Sequence, residues 1–267
     1  MASAMAKRLT GKCILITGAS SGIGRSTAFE FARTSPASLK LILTARRVDR
    51  LHQISKDIQQ EVGSGVKILM KQLDVSKPDE IAKLVPSLPE EFKDVDVLVN
   101  NAGFMSGIEG PPDIPQKVID NVWATNVTGV INMTQAILPI FKAKDRGDII
   151  MLGSIADREP YVGGTLYCAS KAAVRIFSEA LRKELISTRI RVITVAPGQV
   201  LTEFTLLRYR GNQEKADAVY AGCEPLSPDD VAEVIVFAAG RRENVVVADT
   251  LLFPNHQASA THIHRRL

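Results

Sequence analysis

Cys13-Ile14-Leu15-Ile16-Thr17 runs straight into Gly18-Ala19-Ser20-Ser21-Gly22-Ile23-Gly24. An apolar run of strand length meets a glycine-rich turn, and residues 23–34 then take the spacing of an amphipathic helix. Gly18 permits the sharp turn, while Gly22 and Gly24 let backbone and helix approach a pyrophosphate closely. The helix directs its N-terminal amides and the positive end of its dipole at the phosphates. Ser20, Ser21 and Ile23 lie in the same arc and are counted with it as nucleotide contacts. A glycine-rich turn without a ligand is the competing explanation, which the strand–loop–helix context weakens.

The same unit repeats outward from this point. Strand-like runs fall at 39–44, 66–72, 95–99, 148–152, 189–196 and, less clearly, 245–253. Helical segments lie near 23–34, 48–62, 78–84, 116–143, 166–187 and 228–239. Ile14-Leu15-Ile16, Leu41-Ile42-Leu43 and Val97-Leu98-Val99 are apolar on both faces, which suits a parallel sheet covered by helices on both sides. Alternating βα units predict a doubly wound α/β fold of the Rossmann type, built as one domain over 1–267. Residues 201–222 break the rhythm and are expected to be an irregular segment covering the substrate. Residues 255–267 are expected to be a tail.

Composition narrows the partners. The 267 residues are 45% hydrophobic and 23% charged, ordinary globular usage, with a net charge of +4. Lysine and arginine are dispersed among acids with few aromatics between them, which argues against a nucleic-acid groove. No apolar run reaches the roughly 20 residues of a membrane helix. Lys7 and Arg8 precede an apolar run interrupted by Gly18 and serines, which reads as a first strand and not as a signal-peptide core. Three well-separated cysteines, Cys13, Cys168 and Cys223, suit a reducing compartment and no metal ribbon. A cytoplasmic protein is therefore expected, without metal, membrane or nucleic-acid partners. His262, His264, Arg265 and Arg266 cluster at the chain end, a poor place for a specific site.

Further signals sit at strand ends. The second strand finishes Thr44-Ala45-Arg46-Arg47, where a ribose-binding enzyme for NAD would carry an acid. Two guanidinium groups suit the 2′-phosphate of NADP, and Asp49 lies too far along to replace the acid. Asp74-Val75 is placed to hold the adenine end, with helix capping as the alternative for Asp74. Asn101, Ala102 and Gly103 offer amides and close packing beside the cofactor. Tyr167 and Lys171, four apart at a helix start, share a face, so the ammonium is expected to lower the phenol's pKa toward a working base. Ser154, just after a strand, is placed to hydrogen-bond the reacting oxygen, and Asn126 to support Lys171 through water. Each alone has an ordinary packing or capping explanation; their order and placement together do not.

With TGASSGIG at Thr17–Gly24, NNAG at Asn100–Gly103, Ser154, Tyr167-x-x-x-Lys171 and Pro197-Gly198, the chain resembles the short-chain dehydrogenase/reductases over almost its whole length. The resemblance implies a seven-stranded parallel sheet and a catalytic set of Asn126, Ser154, Tyr167 and Lys171. It also implies cofactor contacts from Lys171, Tyr167, Pro197, Gly198, Val200 and Thr202, and dimers or tetramers formed through the long helices. Within the family, LILTARR (41–47), LYCAS (166–170), LRYRGN (207–212) and ADTLLFP (248–254) are most similar to NADP-dependent 3-hydroxy acid dehydrogenases acting on serine and related acids.

Such a substrate calls for a cation near its carboxylate, for which Arg158, Arg208 and Arg210 are candidates. A general carbonyl reductase, a 3-oxoacyl reductase and a catalytically silent NADP-binding interaction protein remain the alternatives.

Overall fold

Alternation along the first strand decides which layer each side chain joins. In β1 (Cys13–Thr17), Cys13 and Leu15 point to one face of the sheet and Ile14 and Ile16 to the other, all four buried. Burial on both faces also marks β2 (Lys40–Ala45), β4 (Val97–Asn100), β5 (Arg146–Leu152) and β6 (Arg189–Pro197). The partly buried strands β3 (Lys67–Gln72) and β7 (Asp249–Leu252) form the edges. The strand order is β3-β2-β1-β4-β5-β6-β7, and every pairing is parallel. The fold comes from a computed structural model describing residues 4–266; residues 1–3 and 267, the ends of the expected domain and tail, lie outside the described residues.

The helices are α1 (Ala4–Leu9), α2 (Gly22–Thr34), α3 (Val48–Val62), α4 (Pro78–Leu84), α5 (Gln116–Trp123), α6 (Gly129–Ala143), α7 (Thr165–Glu184), α8 (Glu203–Arg208), α9 (Gln213–Ala218) and α10 (Pro228–Ala239), and both faces of the sheet are covered. Phe31 of α2, Ile54 of α3 and Ile235 of α10 pack with Ile14, Ile16, Leu41 and Leu43. On the other side Ile81 of α4, Met133 and Ile137 of α6 and Leu181 of α7 pack with Leu15, Ile42 and Leu98. From β1 the order runs outward to β2 and β3, while β4 leads the other way through β5 to β7. Such a reversal leaves a crevice beyond the carboxyl ends of the strands, where ligands of these folds bind.

Three expectations need correction. The helix expected over 116–143 is two helices, α5 and α6, joined by a π-helical turn at Ala124–Thr128. Apolar periodicity reads through one wide turn because both flanks remain amphipathic. Residues 201–222 are not irregular but hold α8 and α9, each begun by a capping side chain: Thr202 accepts from Phe204 N, and Asn212 from Lys215 N. The last strand is confined to Asp249–Leu252, and the Val245 carbonyl instead accepts from the Arg191 guanidinium at 2.9 Å. The helix α1 ahead of β1 is an element the sequence reading lacks.

Candidate active site

At the crevice the ends of β1 and β4 are tied together by one hydroxyl. Thr17 Oγ1 accepts from the Asn101 and Ala102 amides, both at 3.0 Å, and donates to Val99 O at 3.2 Å. The Asn101 side-chain amide donates to the carbonyls of Thr17 (2.8 Å) and Gly18 (3.2 Å), bracing the glycine loop from behind. Space there excludes a side chain: a Cβ on Gly24 would lie 2.4 Å from Asn101 Nδ2 and 2.5 Å from the Gly18 carbonyl. Gly18 and Gly22 both take positive φ, 66° and 53°, the region glycine enters without strain. The result is an open cradle at the N-terminus of the 13-residue helix α2.

The cradle opens into a cleft of ≈ 650 Å³ that runs to the reacting centre. Gly18, Ser20, Ser21, Gly22 and Ile23 line it; so do Arg46, Arg47, Asp74, Val75, Asn101, Ala102 and Gly103, and on its far wall Pro197, Gly198, Val200 and Thr202. Gly24 stands outside the lining, as the close helix–strand contact behind it. Arg46 is exposed at the rim. Arg47 lies across the loop, donating to Ser20 Oγ (3.2 Å) and Ser21 Oγ (2.9 Å) and pairing with Glu203 (3.1 Å). Asp74 caps no helix, since α4 begins after Lys77; its carboxylate accepts from the Ser76 amide and hydroxyl, a local turn at the cleft wall. A dinucleotide with a phosphorylated ribose fits this set: a glycine cradle, a helix N-terminus and two guanidinium groups beyond it.

Ser154, Tyr167 and Lys171 meet at the inner end of the same cleft. Ser154 caps a short turn, accepting from Ala156 N at 3.2 Å, while buried Asp157 closes the capping box. Capping and a place in the cleft coexist here. Burial, with the neighbouring Tyr161, pushes the Tyr167 phenol well above its ordinary pKa, and contributions from Ser154 and Arg208 pull it down without prevailing. The expectation of a lowered phenol is therefore not met. Lys171 donates to Leu152 O at 2.7 Å, and its ammonium lies 5.8 Å from the Tyr167 ring centre. Desolvation wins over the Asp157 charge and lowers Lys171 to about 8.

That shift has a measurable sign. Between about 8 and the ordinary 10.5 the unfolded chain binds the proton that folded Lys171 has released. Lys171 therefore adds stability as pH rises through this window, on the order of 3 kcal/mol in full, and the gain is lost as pH falls back. Denaturation of cofactor-free protein should show the wild type gaining on Lys171→Met across pH 8–10.5. Parallel curves would contradict the buried ammonium.

Asn126 stands behind the cleft wall in the π-helical turn. Its amide accepts from Phe104 N (2.7 Å) and donates to Phe104 O (2.9 Å) and Ser170 Oγ (3.1 Å), clamping the loop after β4 to α7. The side chain thus serves this clamp, and no direct bond joins it to Lys171.

Of the three candidate arginines, only Arg208 lines the cleft. It donates to Tyr161 Oη (3.0 Å) and Gly163 O (2.8 Å), and its Nε is buried with no hydrogen-bond partner. Arg158 is held by Asp249 and Asp157, and Arg210 by Glu109 at 2.7 Å. Tyr161, Phe204, Tyr220 and Gln257 are among the cleft residues that the sequence reading did not single out. Phe204 packs on the Tyr167 ring with centroids 5.3 Å apart, and Tyr220 donates to Val200 O at 2.8 Å. Gln257 Oε1 accepts from Gln199 N at 2.8 Å, so the start of the tail reaches the site, while His262, His264, Arg265 and Arg266 lie outside the cleft lining.

The match to known proteins follows this layout. The family model for short chain dehydrogenases covers residues 12–212. This chain belongs to that family. An NADP-dependent 3-hydroxy acid dehydrogenase from Schizosaccharomyces pombe is 52% identical over 97% of this chain and 98% of its own length. A serine 3-dehydrogenase from Agrobacterium fabrum is 37% identical over 92% of this chain and 95% of its own. The closed form of a serine dehydrogenase complexed with NADP+ superposes with a TM-score of 0.85 at 35% identity, covering 95% of this chain and all of that one. The short-chain dehydrogenase membership and the seven-stranded doubly wound sheet agree with the sequence reading. Among the described residues no helix is long and apolar enough to cross a membrane, and no cluster of three or more histidine, cysteine or acidic side chains is disposed to hold a metal.

Proposed function

We propose that this short-chain dehydrogenase moves a hydride between NADP(H) and a 3-hydroxy acid or its 3-oxo counterpart. The observation that carries the substrate half is Arg208, a guanidinium lining the cleft that, among the described residues, has no carboxylate paired with it and keeps a buried, unpartnered Nε. A substrate carboxylate in the cleft supplies the counter-charge for this guanidinium. The names of the S. pombe and A. fabrum relatives point the same way.

Arg46 and Arg47 hold the 2′-phosphate, and the glycine cradle with the α2 N-terminus holds the pyrophosphate. The bound nicotinamide supplies the hydride or accepts it. In reduction Tyr167, held protonated by burial, gives its phenolic proton to the carbonyl oxygen; in oxidation it acts as the phenolate, its own proton already released, and takes the proton of the alcohol. Ser154 stabilises the charge that develops on that oxygen. Lys171, fixed by Leu152 O, places a positive charge by the phenol as its proton leaves. Asn126 fixes the loop after β4 against α7, while Thr202 and Val200, which line the cleft, would hold the nicotinamide.

The chain works as one domain in a reducing cytoplasm, where its three free cysteines persist. Exposed Trp123 on α5 and Ile176 on α7 favour assembly into dimers or tetramers across these helices.

A panel of serine, longer 3-hydroxy acids and uncharged ketones, each with NADP(H) and NAD(H), tests the reading. Arg208→Met should raise KM for carboxylate substrates by about tenfold to a hundredfold, the scale of one lost charge-assisted bond, and leave uncharged ketones little changed. Good turnover of ketones with failure of every acid would favour a general carbonyl reductase.

A further inference from the structure

Glu203 opens α8 and is the point where that helix meets the nucleotide side of the cleft. Its carboxylate binds Arg47 Nη1 at 3.1 Å and Arg50 Nη1 at 2.6 Å. Arg47 at the same time donates its other nitrogen to both serines of the glycine loop. Burial raises the Glu203 carboxyl, but hydrogen bonds from Arg50 and Arg47 outweigh this and hold it below the ordinary value, so it is charged at neutral pH.

The rest of α8 reaches the opposite end of the cleft. Phe204 rests on the Tyr167 ring, and Arg208 binds Tyr161 and Gly163. Both cations of Glu203 are half-exposed, and exposed ion pairs are weak enough to exchange partners. A ribose phosphate, with more charge and more acceptor oxygens than a carboxylate, is a stronger claimant for Arg47. Arg50, one helical turn further along α3, can stay with Glu203 when Arg47 is taken.

We infer that Glu203 couples the two ends of the cleft: it competes with the 2′-phosphate for Arg47, while its bond to Arg50 anchors α8 over the reacting centre. The inference rests on the NADP reading above. It assigns Glu203 as a positioning and specificity residue whose two effects have opposite signs.

Two measurements on the full chain test it, one of them without turnover. In Glu203→Gln, the dissociation constant for NADPH, followed by fluorescence titration, should fall threefold to tenfold, and that for NADH by less than twofold. KM for the acid substrate should rise threefold or more, with a smaller fall in kcat. Arg50→Ala should reproduce the KM rise without tightening NADPH, and adding it to Glu203→Gln should raise KM no further. Unchanged NADPH affinity in Glu203→Gln, in a wild type that clearly prefers NADPH, overturns the competition alone. Unchanged KM in both variants overturns the anchor. Equal wild-type affinity for NADPH and NADH overturns the NADP reading and the competition together.

Discussion

Tyr167→Phe is expected to lower kcat by about 10³-fold while NADPH binds as before, within the range that a positioned acid/base contributes. Phenylalanine keeps the ring that packs on Phe204 and removes only the hydroxyl, so cleft and fold should persist. Ser154 has a hydroxyl in the same cleft, but its oxygen also caps the turn that begins at Ile155. Steady-state rates paired with a nucleotide titration check the result. Activity within tenfold of the wild type would remove Tyr167 from the chemistry and leave it a packing residue.

The second large effect concerns the nucleotide. Arg46→Ala with Arg47→Ala should raise the dissociation constant for NADPH about 100-fold and change that for NADH by a few-fold at most, since only the former carries the phosphate. Arg46 and Arg47 are not equivalent. Arg46 stands exposed at the rim, whereas Arg47 also holds Ser20, Ser21 and Glu203. The Arg46 variant alone therefore reports phosphate recognition with the loop undisturbed. Equal losses for both nucleotides would mean that the pair only stiffens the loop.

The sheet was legible because each strand from Ile14 to Val195 is apolar where both faces are covered, and each is followed by a break and a helix. The glycine loop was legible because only glycine permits the approach of Asn101 behind Gly24. What escaped notice depends on contacts distant in sequence. Nothing around Gln257 marks it as a partner of Gln199, and nothing in the charges of Arg158 distinguishes it from Arg208. Gln199 lies 58 residues from Gln257, and Asp249, 91 residues from Arg158, joins the neighbouring Asp157 in holding that cation. The raised phenol of Tyr167 escaped for a related reason: spacing reveals the neighbouring ammonium but not the depth of burial, and burial prevails.

The π-helical turn at Ala124–Thr128 also sets a phase relation. Each residue added to a helix rotates everything after it by about 100°, so the wide turn offsets the apolar stripe of α6 from that of α5. Val122 consequently faces Met105 and Leu166, while Met133, Ile137 and Phe141 face the sheet. The irregularity that carries Asn126 is thus a gear tooth between two cores, and a chain one residue shorter there could satisfy either side but not both.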